Sequence, residues 1–184
     1  MEVYLKKSIR SLFLLFVIGG CVILLDQWTK KIVRSQLQFG ETWMPWDWLE
    51  PYARIVYWHN AGAAFGMGQN LSFIFTILAI VVAIAILLYY PQIPMEDWPL
   101  RTALALQFGG AIGNLIDRLT IGYVTDFISV GNFPVFNIAD SSISIGVVVL
   151  IGGMWIMERK QNSGSQEITE TQNLHNATIP DEEF

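Results

Sequence analysis

Four long apolar segments, separated by short polar stretches, dominate the pattern of hydrophobic and polar positions along the chain. Leu71–Tyr90 is uncharged over 20 residues, which is the helix length that spans a hydrocarbon core of about 30 Å. Ser141–Met157 is uncharged over 17 residues, at the short end of the spanning range. The pattern predicts a membrane protein that is all-α apart from a small β element, with four transmembrane helices at about 9–27, 71–90, 99–117 and 139–157.

Composition supports the membrane class and divides the chain into two parts. Of the 184 residues, 53% are hydrophobic, and the mean hydropathy of +0.42 exceeds that of an ordinary soluble domain. The net charge of −5 comes from the last 24 residues, which hold five acids and no Lys or Arg. We therefore expect a membrane domain over 1–160 and a disordered, acidic cytoplasmic tail over 161–184. Nothing in this balance indicates nucleic-acid binding.

Polar residues collect on one side of the predicted bundle. Four spans place both termini on one side, so the ends of helices 1 and 3 and the starts of helices 2 and 4 share the other. That other side receives five clusters: DQWTK (Asp26–Lys30), NAGAAFG (Asn60–Gly66), GNLIDR (Gly113–Arg118), VTDF (Val124–Phe127) and FNIAD (Phe136–Asp140). Ionisable residues at membrane depth are costly and mark functional sites by default. The clusters therefore predict a site on this side.

Basic residues near the span ends indicate which side faces the cytoplasm. The terminal side carries six (Lys6, Lys7, Arg10, Arg101, Arg159, Lys160) and the cluster side five (Lys30, Lys31, Arg34, Arg54, Arg118). If Lys30 and Arg118 belong to the site, the balance becomes six to three. This count places both termini in the cytoplasm and the polar clusters outside.

Acids dominate the chemistry that the clusters offer. Two carboxyl groups held close together in a poorly solvated site share one proton, so one can activate water while the other protonates a leaving group. Asp126 and Asp140 are separated by a strand, a turn and a return segment, a spacing that allows this pairing without requiring it. The sequence leaves two structural alternatives equally open. Asp140 could cap the helix that follows it, and Asp117 could form an ion pair with Arg118.

Other chemistries use the same residues. A proton- or ion-coupled transporter would need acids near the bilayer midplane, a Ser–Lys peptidase would use Ser141 or Ser142 with Lys30, and a metal-dependent lipid transferase would bind a cation through Asp117, Asp126 and Asp140. A purely structural role is the remaining alternative. The sequence has no His/Cys set arranged for zinc, and the lone Cys21 excludes an intrachain disulfide.

The segments outside the membrane predict a small sheet. ARIVYW (53–58) and YVTDFISV (123–130) are typical of short strands, and Gly131–Asn132 is typical of a turn. The loop ETWMPWDWLEPY is rich in aromatic residues, which suits either an interfacial segment at headgroup level or a small buried core. Gly62 and Gly66 suit a turn before helix 2, and Gly109 and Gly113 suit close helix packing.

The motifs DQWTK, NAGAAFG, GGAIGNLIDR, VTDF and FNIADS, in this order and spacing, resemble those of the lipoprotein signal peptidases, also called signal peptidase II, which are bacterial membrane aspartic peptidases. The resemblance covers about residues 8–160. It implies four transmembrane helices, an extracytoplasmic cradle of strands and a catalytic dyad of Asp126 and Asp140. It also implies a set of residues that shape the site and hold substrate: Asp26, Lys30, Asn60, Asn114, Arg118 and Asn137.

The resemblance also implies a substrate. The expected activity is the removal of signal peptides from prolipoproteins already modified with diacylglycerol, by cleavage amino-terminal to the lipidated cysteine. The expected location is the bacterial cytoplasmic (inner) membrane, as a multi-pass protein with the active site on the extracytoplasmic face. Membrane lipid and lipid-modified prolipoproteins are the expected partners, and we expect a monomer that needs no metal or other cofactor.

Overall fold

The computed structural model of the chain describes residues 2–61 and 71–178. Within these ranges the chain forms four α-helices and one sheet of three strands. In chain order the elements are α1 (Glu2–Gln36), β1 (Thr42–Trp43), β2 (Ala53–Asn60), α2 (Leu71–Tyr89), α3 (Trp98–Thr120), β3 (Val124–Val130) and α4 (Ile138–Thr178). The turn expected at Gly62 and Gly66 lies outside the described residues.

Three helices of the described chain are long and apolar enough to cross a membrane. The three membrane-crossing segments are Leu12–Gln36 of α1, Ser72–Gln92, which begins in α2 and ends just beyond it, and Ile138–Arg159 of α4. The segment expected at 99–117 is helical as α3, but it is not among the three. Arg101, Asn114 and Asp117 of α3 are buried, and α3 packs against each of the other three helices. A helix surrounded by protein does not need an apolar lipid-facing surface, which explains its weaker hydropathy.

Two helices extend beyond their predicted ends. The end expected for the first helix at 27 is too early, because α1 continues to Gln36 and its last turns contact α3 and β3. The fourth span predicted at 139–157 agrees with the membrane-crossing part of α4, Ile138–Arg159, and the helix itself continues beyond it to Thr178. Residues 161–178, for which we predicted disorder, are therefore helical in the structure. No proline interrupts this segment before Pro180, and extending an existing helix avoids the cost of a new nucleus.

The predicted strands at 53–58 and 123–130 are confirmed. β2 lies between β1 and β3, and both pairings are antiparallel. Trp58 lies opposite Asp126, and a register shift separates this pair from Ile55 opposite Ile128. Because side chains alternate along a strand, Asp126 and Phe127 project from opposite faces of β3. This alternation separates the candidate site from a second, apolar surface.

The aromatic loop before β2 forms an exposed segment and not a small buried core. It contains the short strand β1 followed by turns, and its placement as an interfacial segment at headgroup level stays a prediction. Its aromatic side chains are exposed, which makes the buried-core alternative wrong: Trp43, Trp46, Trp48 and Tyr52.

Glycines permit the close contact between α1 and α3. A Cβ atom added at Gly109 would lie 2.7 Å from Cβ of Val22, and one added at Gly113 would lie 2.8 Å from Oδ2 of Asp26. Carbon atoms are not normally found this close to other heavy atoms. The packing role predicted for the G-x-x-x-G pair is therefore confirmed, and at Gly113 it brings α3 directly against a polar residue of the candidate site.

Candidate active site

Asn137 and Asp140 form a reciprocal cap at the start of α4. The backbone N–H of Asp140 donates to Oδ1 of Asn137 at 2.9 Å, and the backbone N–H of Asn137 donates to Oδ2 of Asp140 at 3.3 Å. This is the pattern of a capping box, in which each side chain satisfies an N–H left free at the helix end. Asn137 is thus the capping residue, and the expectation that Asp140 caps the helix is corrected. Asp140 lies in the first turn.

Asn137 also links the two acids that the sequence proposed as a dyad. Its side-chain Nδ2 donates to Oδ1 of Asp126 at 2.7 Å, while its backbone N–H contacts Asp140. Each carboxyl group has a second amide donor: Asn60 Nδ2 donates to Asp126 Oδ2 at 2.8 Å, and Asn114 Nδ2 donates to Asp140 Oδ1 at 2.7 Å. Three asparagines therefore fix the orientation of both carboxyl groups.

Lys30 is the buried cation beneath this arrangement. Its Nζ lies 2.8 Å from Oδ2 of Asp26 and 3.3 Å from Oδ2 of Asp117, and it donates to Oδ1 of Asn114 at 2.8 Å. Asp26 in turn accepts from the backbone N–H of Ala139 at 2.9 Å. A charge is retained in a buried site only when it is paired and hydrogen-bonded, and here the pairing joins α1, α3 and α4.

Arg34 is a member of the network that the motifs did not identify. It lies one turn beyond Lys30 on α1, and its Nη1 donates to Oγ1 of Thr125 at 2.9 Å and to Oδ1 of Asp117 at 3.3 Å. The other oxygen of Asp117 accepts from the backbone N–H of Thr125 at 2.9 Å. Since Thr125 precedes Asp126, these bonds fix the start of β3 against α1 and α3. One sequence signal could have identified Arg34. It follows Asp26 and Lys30 at intervals of four residues, which places all three side chains on one face of the helix.

Arg118, at the end of α3, completes the set of predicted residues. Its guanidinium interacts electrostatically with Asp140 and Asp126, and it lines the same cavity as Asn60, Asn114 and Asp140. The structure thus brings all eight predicted site residues into one connected region: Asp26, Lys30, Asn60, Asn114, Arg118, Asp126, Asn137 and Asp140.

Two cavities meet at the acids. One, of about 720 Å³, is lined by both carboxyl groups, by Trp58 of β2 and by the segment 133–136 before α4. The other, of about 480 Å³, lies among α2, α3 and α4, and its walls are largely apolar, with Phe75 and Val82 among them. Asn60 and Asp140 line both cavities. A ligand can therefore approach the acids from beneath the sheet and from between the helices.

Burial raises the pKa of the Asp126 carboxyl group to about 7, and the negative charge of Asp140 acts in the same direction. The hydrogen bonds from Asn60 and Asn137 and the charge of Lys30 oppose this rise. A carboxyl group with a pKa near 7 is present in both protonation states at neutral pH, which is the condition that suits proton transfer.

The described residues are not arranged as the Ser–Lys pair or the metal site that the sequence left open. Ser141 Oγ donates to the carbonyl oxygen of Asn137 at 2.9 Å, and Ser142 Oγ donates to those of Ala139 at 2.7 Å and Leu106 at 3.2 Å, so both hydroxyls bond to backbone carbonyl groups and not to Lys30. Among the residues that the structure describes, no group of three or more His, Cys, Asp or Glu side chains is arranged to hold a metal ion. The ring of His59 stacks on Tyr123 with centroids 3.8 Å apart, which is a packing role.

Comparisons with known proteins agree with this architecture. The family model of signal peptidase (SPase) II matches residues 11–156. The chain is 43% identical over 129 residues to a lipoprotein signal peptidase of Moorella thermoacetica, covering 70% of this chain and 84% of that protein. A lipoprotein signal peptidase of Halalkalibacterium halodurans is 40% identical over 149 residues, covering 79% of this chain and 94% of that protein.

A solved structure extends the similarity to the fold. It is described as a bacterial membrane enzyme determined by the in meso method, and it superposes with a TM-score of 0.70 at 32% identity. The match covers 80% of this chain and 90% of the solved one. The family model spans well over half of the chain, and both relatives exceed the similarity at which family membership is secure. The chain belongs to the signal peptidase II family and is a multi-pass membrane peptidase.

Proposed function

We propose that the chain is an aspartic endopeptidase in which Asp126 and Asp140 are the catalytic dyad. The observation that carries this proposal is Asn137, whose side chain and backbone bond to the two acids separately. An asparagine in this position gives both carboxyl groups a fixed orientation towards one cavity. Two acids held in this way have the arrangement that peptide hydrolysis by a shared proton requires.

The two acids take different roles in the proposed reaction. Asp140, as the ionised member, accepts a proton from water as the water oxygen bonds to the carbonyl carbon of the scissile peptide. Asp126, as the protonated member, supplies a proton to the departing amine nitrogen as the carbon–nitrogen bond breaks. The proton that Asp140 gained then restores the shared state of the pair. The pKa of Asp126, raised to about 7 by burial, supports its assignment as the acid.

The surrounding residues position the dyad and the substrate. Asn60, Asn114 and Asn137 orient the carboxyl groups, and the buried Lys30–Asp26 pair fixes the start of α4 through the backbone of Ala139. Arg118 lies in the cavity among the helices, where its guanidinium is available to a substrate carbonyl group. Preorganised donors of this kind contribute to catalysis because they do not reorganise during the reaction.

We place the site at the extracytoplasmic end of a four-span bundle, with both termini in the cytoplasm. α3 serves as the fourth span because α1, α2 and α4 surround it, and its length of 23 residues exceeds the roughly 20 needed. The sheet then lies at the extracytoplasmic surface of the membrane, over the ends of α1 and α3. Asp140 lies in the first turn of α4 and Asp126 in β3, so neither acid is at mid-span, which supports a peptidase over the transporter alternative.

The family and the cavities support a proposal for the substrate class. Relatives carry the name lipoprotein signal peptidase, and a largely apolar cavity leads from between the helices to Asp140. We propose that diacylglyceryl-modified prolipoproteins bind here and are cleaved amino-terminal to the lipidated cysteine. A lipid anchor presents the scissile bond at the membrane depth of the acids, which a soluble substrate does not do.

The test compares two substrates that differ only in the lipid. Purified protein in detergent is incubated with a synthetic prolipoprotein peptide carrying diacylglycerol on its cysteine, and with the same peptide unmodified. We expect cleavage of the lipidated peptide alone, with a product mass that places the cut immediately before the lipidated cysteine. Equal cleavage of both peptides, or a cut elsewhere, would refute the proposed specificity.

A further inference from the structure

A third cavity lies apart from the acids, between α1 and the sheet. It has a volume of about 530 Å³. Its floor includes Phe127 of β3 and Ile55 of β2, and its wall is formed by one side of α1. Because Phe127 and Asp126 are consecutive in β3, this cavity, which we term the α1 groove, lies on the face of the strand opposite the acids. The residues that line it are Thr29, Ile32, Val33, Gln36, Leu37, Glu41, Trp43, Ile55 and Phe127.

Two of the polar side chains that line the α1 groove, Thr29 and Glu41, are already engaged in hydrogen bonds. The hydroxyl of Thr29 donates to the carbonyl oxygens of Leu25 at 2.8 Å and Asp26 at 2.9 Å, so its methyl group remains to line the groove. Glu41 accepts from the backbone N–H of Gln38 at 2.7 Å and belongs to the turn at the rim. A ligand in the groove therefore meets aliphatic and aromatic carbon, with few polar groups that require a partner.

The α1 groove is continuous with the lipid-facing side of a membrane-crossing helix. Thr29, Ile32 and Gln36 belong to the apolar span Leu12–Gln36. Ile32 is 42% exposed, and Trp28, one turn earlier, is 62% exposed. Trp43, at the rim, is 56% exposed. Tryptophan is enriched where a membrane meets water, so this rim marks the depth at which lipid glycerol groups lie.

We propose that the α1 groove binds one acyl chain of a membrane phospholipid. The acyl chain would lie along α1 against Phe127 and Ile55, with the headgroup of the phospholipid at the level of Trp43. Phospholipid is favoured over the lipid of the substrate because β3 separates the groove from the face that carries Asp126. A diacylglyceryl cysteine bound next to the scissile bond would have to pass through the sheet to reach it.

Bound lipid would contribute to the position of β3. Phe127 forms a buried cluster with Val33 and Tyr57, and the α1 groove opens beside that cluster. Phe127 itself is already buried, so an acyl chain in the groove would cover apolar surface mainly on Ile32, which is 42% exposed, and would pack against the outer side of the cluster. Since Phe127 is bonded to Asp126, a filled groove restricts movement of the acid, and this link makes the site sensitive to the surrounding lipid.

The binding test is independent of peptidase activity. Native mass spectrometry of the full chain in detergent, with added dioleoyl phosphatidylethanolamine, counts the lipids that remain bound. Ile55→Trp fills the groove from the sheet, and Thr29→Phe fills it from α1, so the two variants disturb different elements. Ile84→Trp adds the same bulk on an exposed position of α2 and serves as the matched control. Circular dichroism and thermal unfolding establish that each variant is folded.

We expect the wild type and Ile84→Trp to retain one lipid at concentrations where both groove variants have lost it. The expected loss of affinity is at least about tenfold, because a bulky side chain in the groove would expose at least two methylene groups of the acyl chain that are buried in the wild type. A phospholipid with a photoreactive group in its acyl chain should label peptides containing residues 29–37 or 127. Equal lipid retention by wild type and both folded groove variants, or labelling of α2 in preference to these peptides, would overturn the proposal.

Discussion

The polar network around the acids and the aromatic loop between α1 and β2 are neighbours in the fold, but different forces determine them. In the network, Lys30 and Asp26 have no exposed surface, and each has partners from other helices. In the loop, Trp46 and Trp48 are exposed, and the backbone forms turns held by local hydrogen bonds such as Leu49 N–H to Trp46 O at 2.9 Å.

The difference shows what each region needs from its surroundings. A buried charge is stable only if its partners are in place, so the network requires one arrangement of α1, α3 and α4. An exposed aromatic residue has no such requirement, and its favourable environment is the membrane interface. The network should therefore be sensitive to single changes of side chain, whereas the loop should be sensitive to the lipid around it.

The largest effect should come from the acids. Asp126→Asn and Asp140→Asn preserve the shape of the side chains but remove a group that transfers protons. We expect each to lower kcat by about a thousandfold or more, since general acid or base catalysis contributes about 10²–10⁴. The assay is cleavage of the lipidated peptide in detergent. Asp47→Asn, on the exposed loop, is the control and should be fully active. Near wild-type turnover by either Asp126→Asn or Asp140→Asn would contradict the dyad.

Lys30 should dominate stability. Lys30→Met leaves Asp26 and Asp117 buried without their cation, and removing one partner of a buried pair costs about 3–5 kcal/mol. Thermal unfolding in detergent should show a large fall in Tm. Lys31→Met changes the adjacent, exposed residue and should alter the free energy of unfolding by less than about 0.5 kcal/mol. Equal Tm values for the two variants would show that the pairing does not stabilise the fold.

The same contrast explains how much of the molecule the sequence predicted. Apolar runs located the helices, because their length is set by the bilayer, and the one-sided clusters located the polar residues that had to meet. The end of α1 was missed because its continuation depends on contacts with α3 and β3, and the continuation of α4 was missed because no apolar pattern marks the residues beyond its membrane-crossing part. Arg34 was missed because its partner Thr125 is distant in sequence. The turns before β2 were missed because exposed aromatic residues do not specify a backbone conformation.

Arg34 provides a smaller and more selective test of the network. Arg34→Gln loses the charged donor to Thr125 and Asp117, and a hydrogen bond to a charged group is worth about 1.5–3 kcal/mol. If Arg34 positions Asp126 through Thr125, kcat should fall about tenfold while KM stays within about twofold. Arg34→Lys keeps the charge and should recover most of the activity. A purely structural role would instead lower Tm and leave kcat of the folded fraction unchanged.

The smallest effect in detergent should come from the loop. Trp46→Ala combined with Trp48→Ala removes two exposed rings that line neither of the cavities at the acids. Cleavage in detergent should stay within about twofold, because exposed substitutions away from packed groups have small effects. In vesicles, tryptophan quenching by brominated phospholipid should decrease relative to the wild type. Loss of detergent activity would assign the loop to the site and remove the contrast between the two regions.

The pH dependence of cleavage tests the central claim, a proton shared by Asp126 and Asp140, most directly. The apparent pKa values belong to the pair, and activity requires one charged and one neutral member. Burial raises the pKa of Asp126 to about 7, so Asp126 loses its proton as the pH increases through that value and the rate should then fall. As the pH decreases, both acids become protonated, and the rate should also fall on this acidic side.

We would measure kcat/KM for the lipidated peptide from about pH 4 to about pH 9, with and without a strong chelator, and expect a bell-shaped profile. Its alkaline limb should lie near neutrality, and the chelator should not change the rate at any pH. A rate that rises steadily to the alkaline end of the range, or activity that chelation abolishes and a divalent ion restores, would contradict the account.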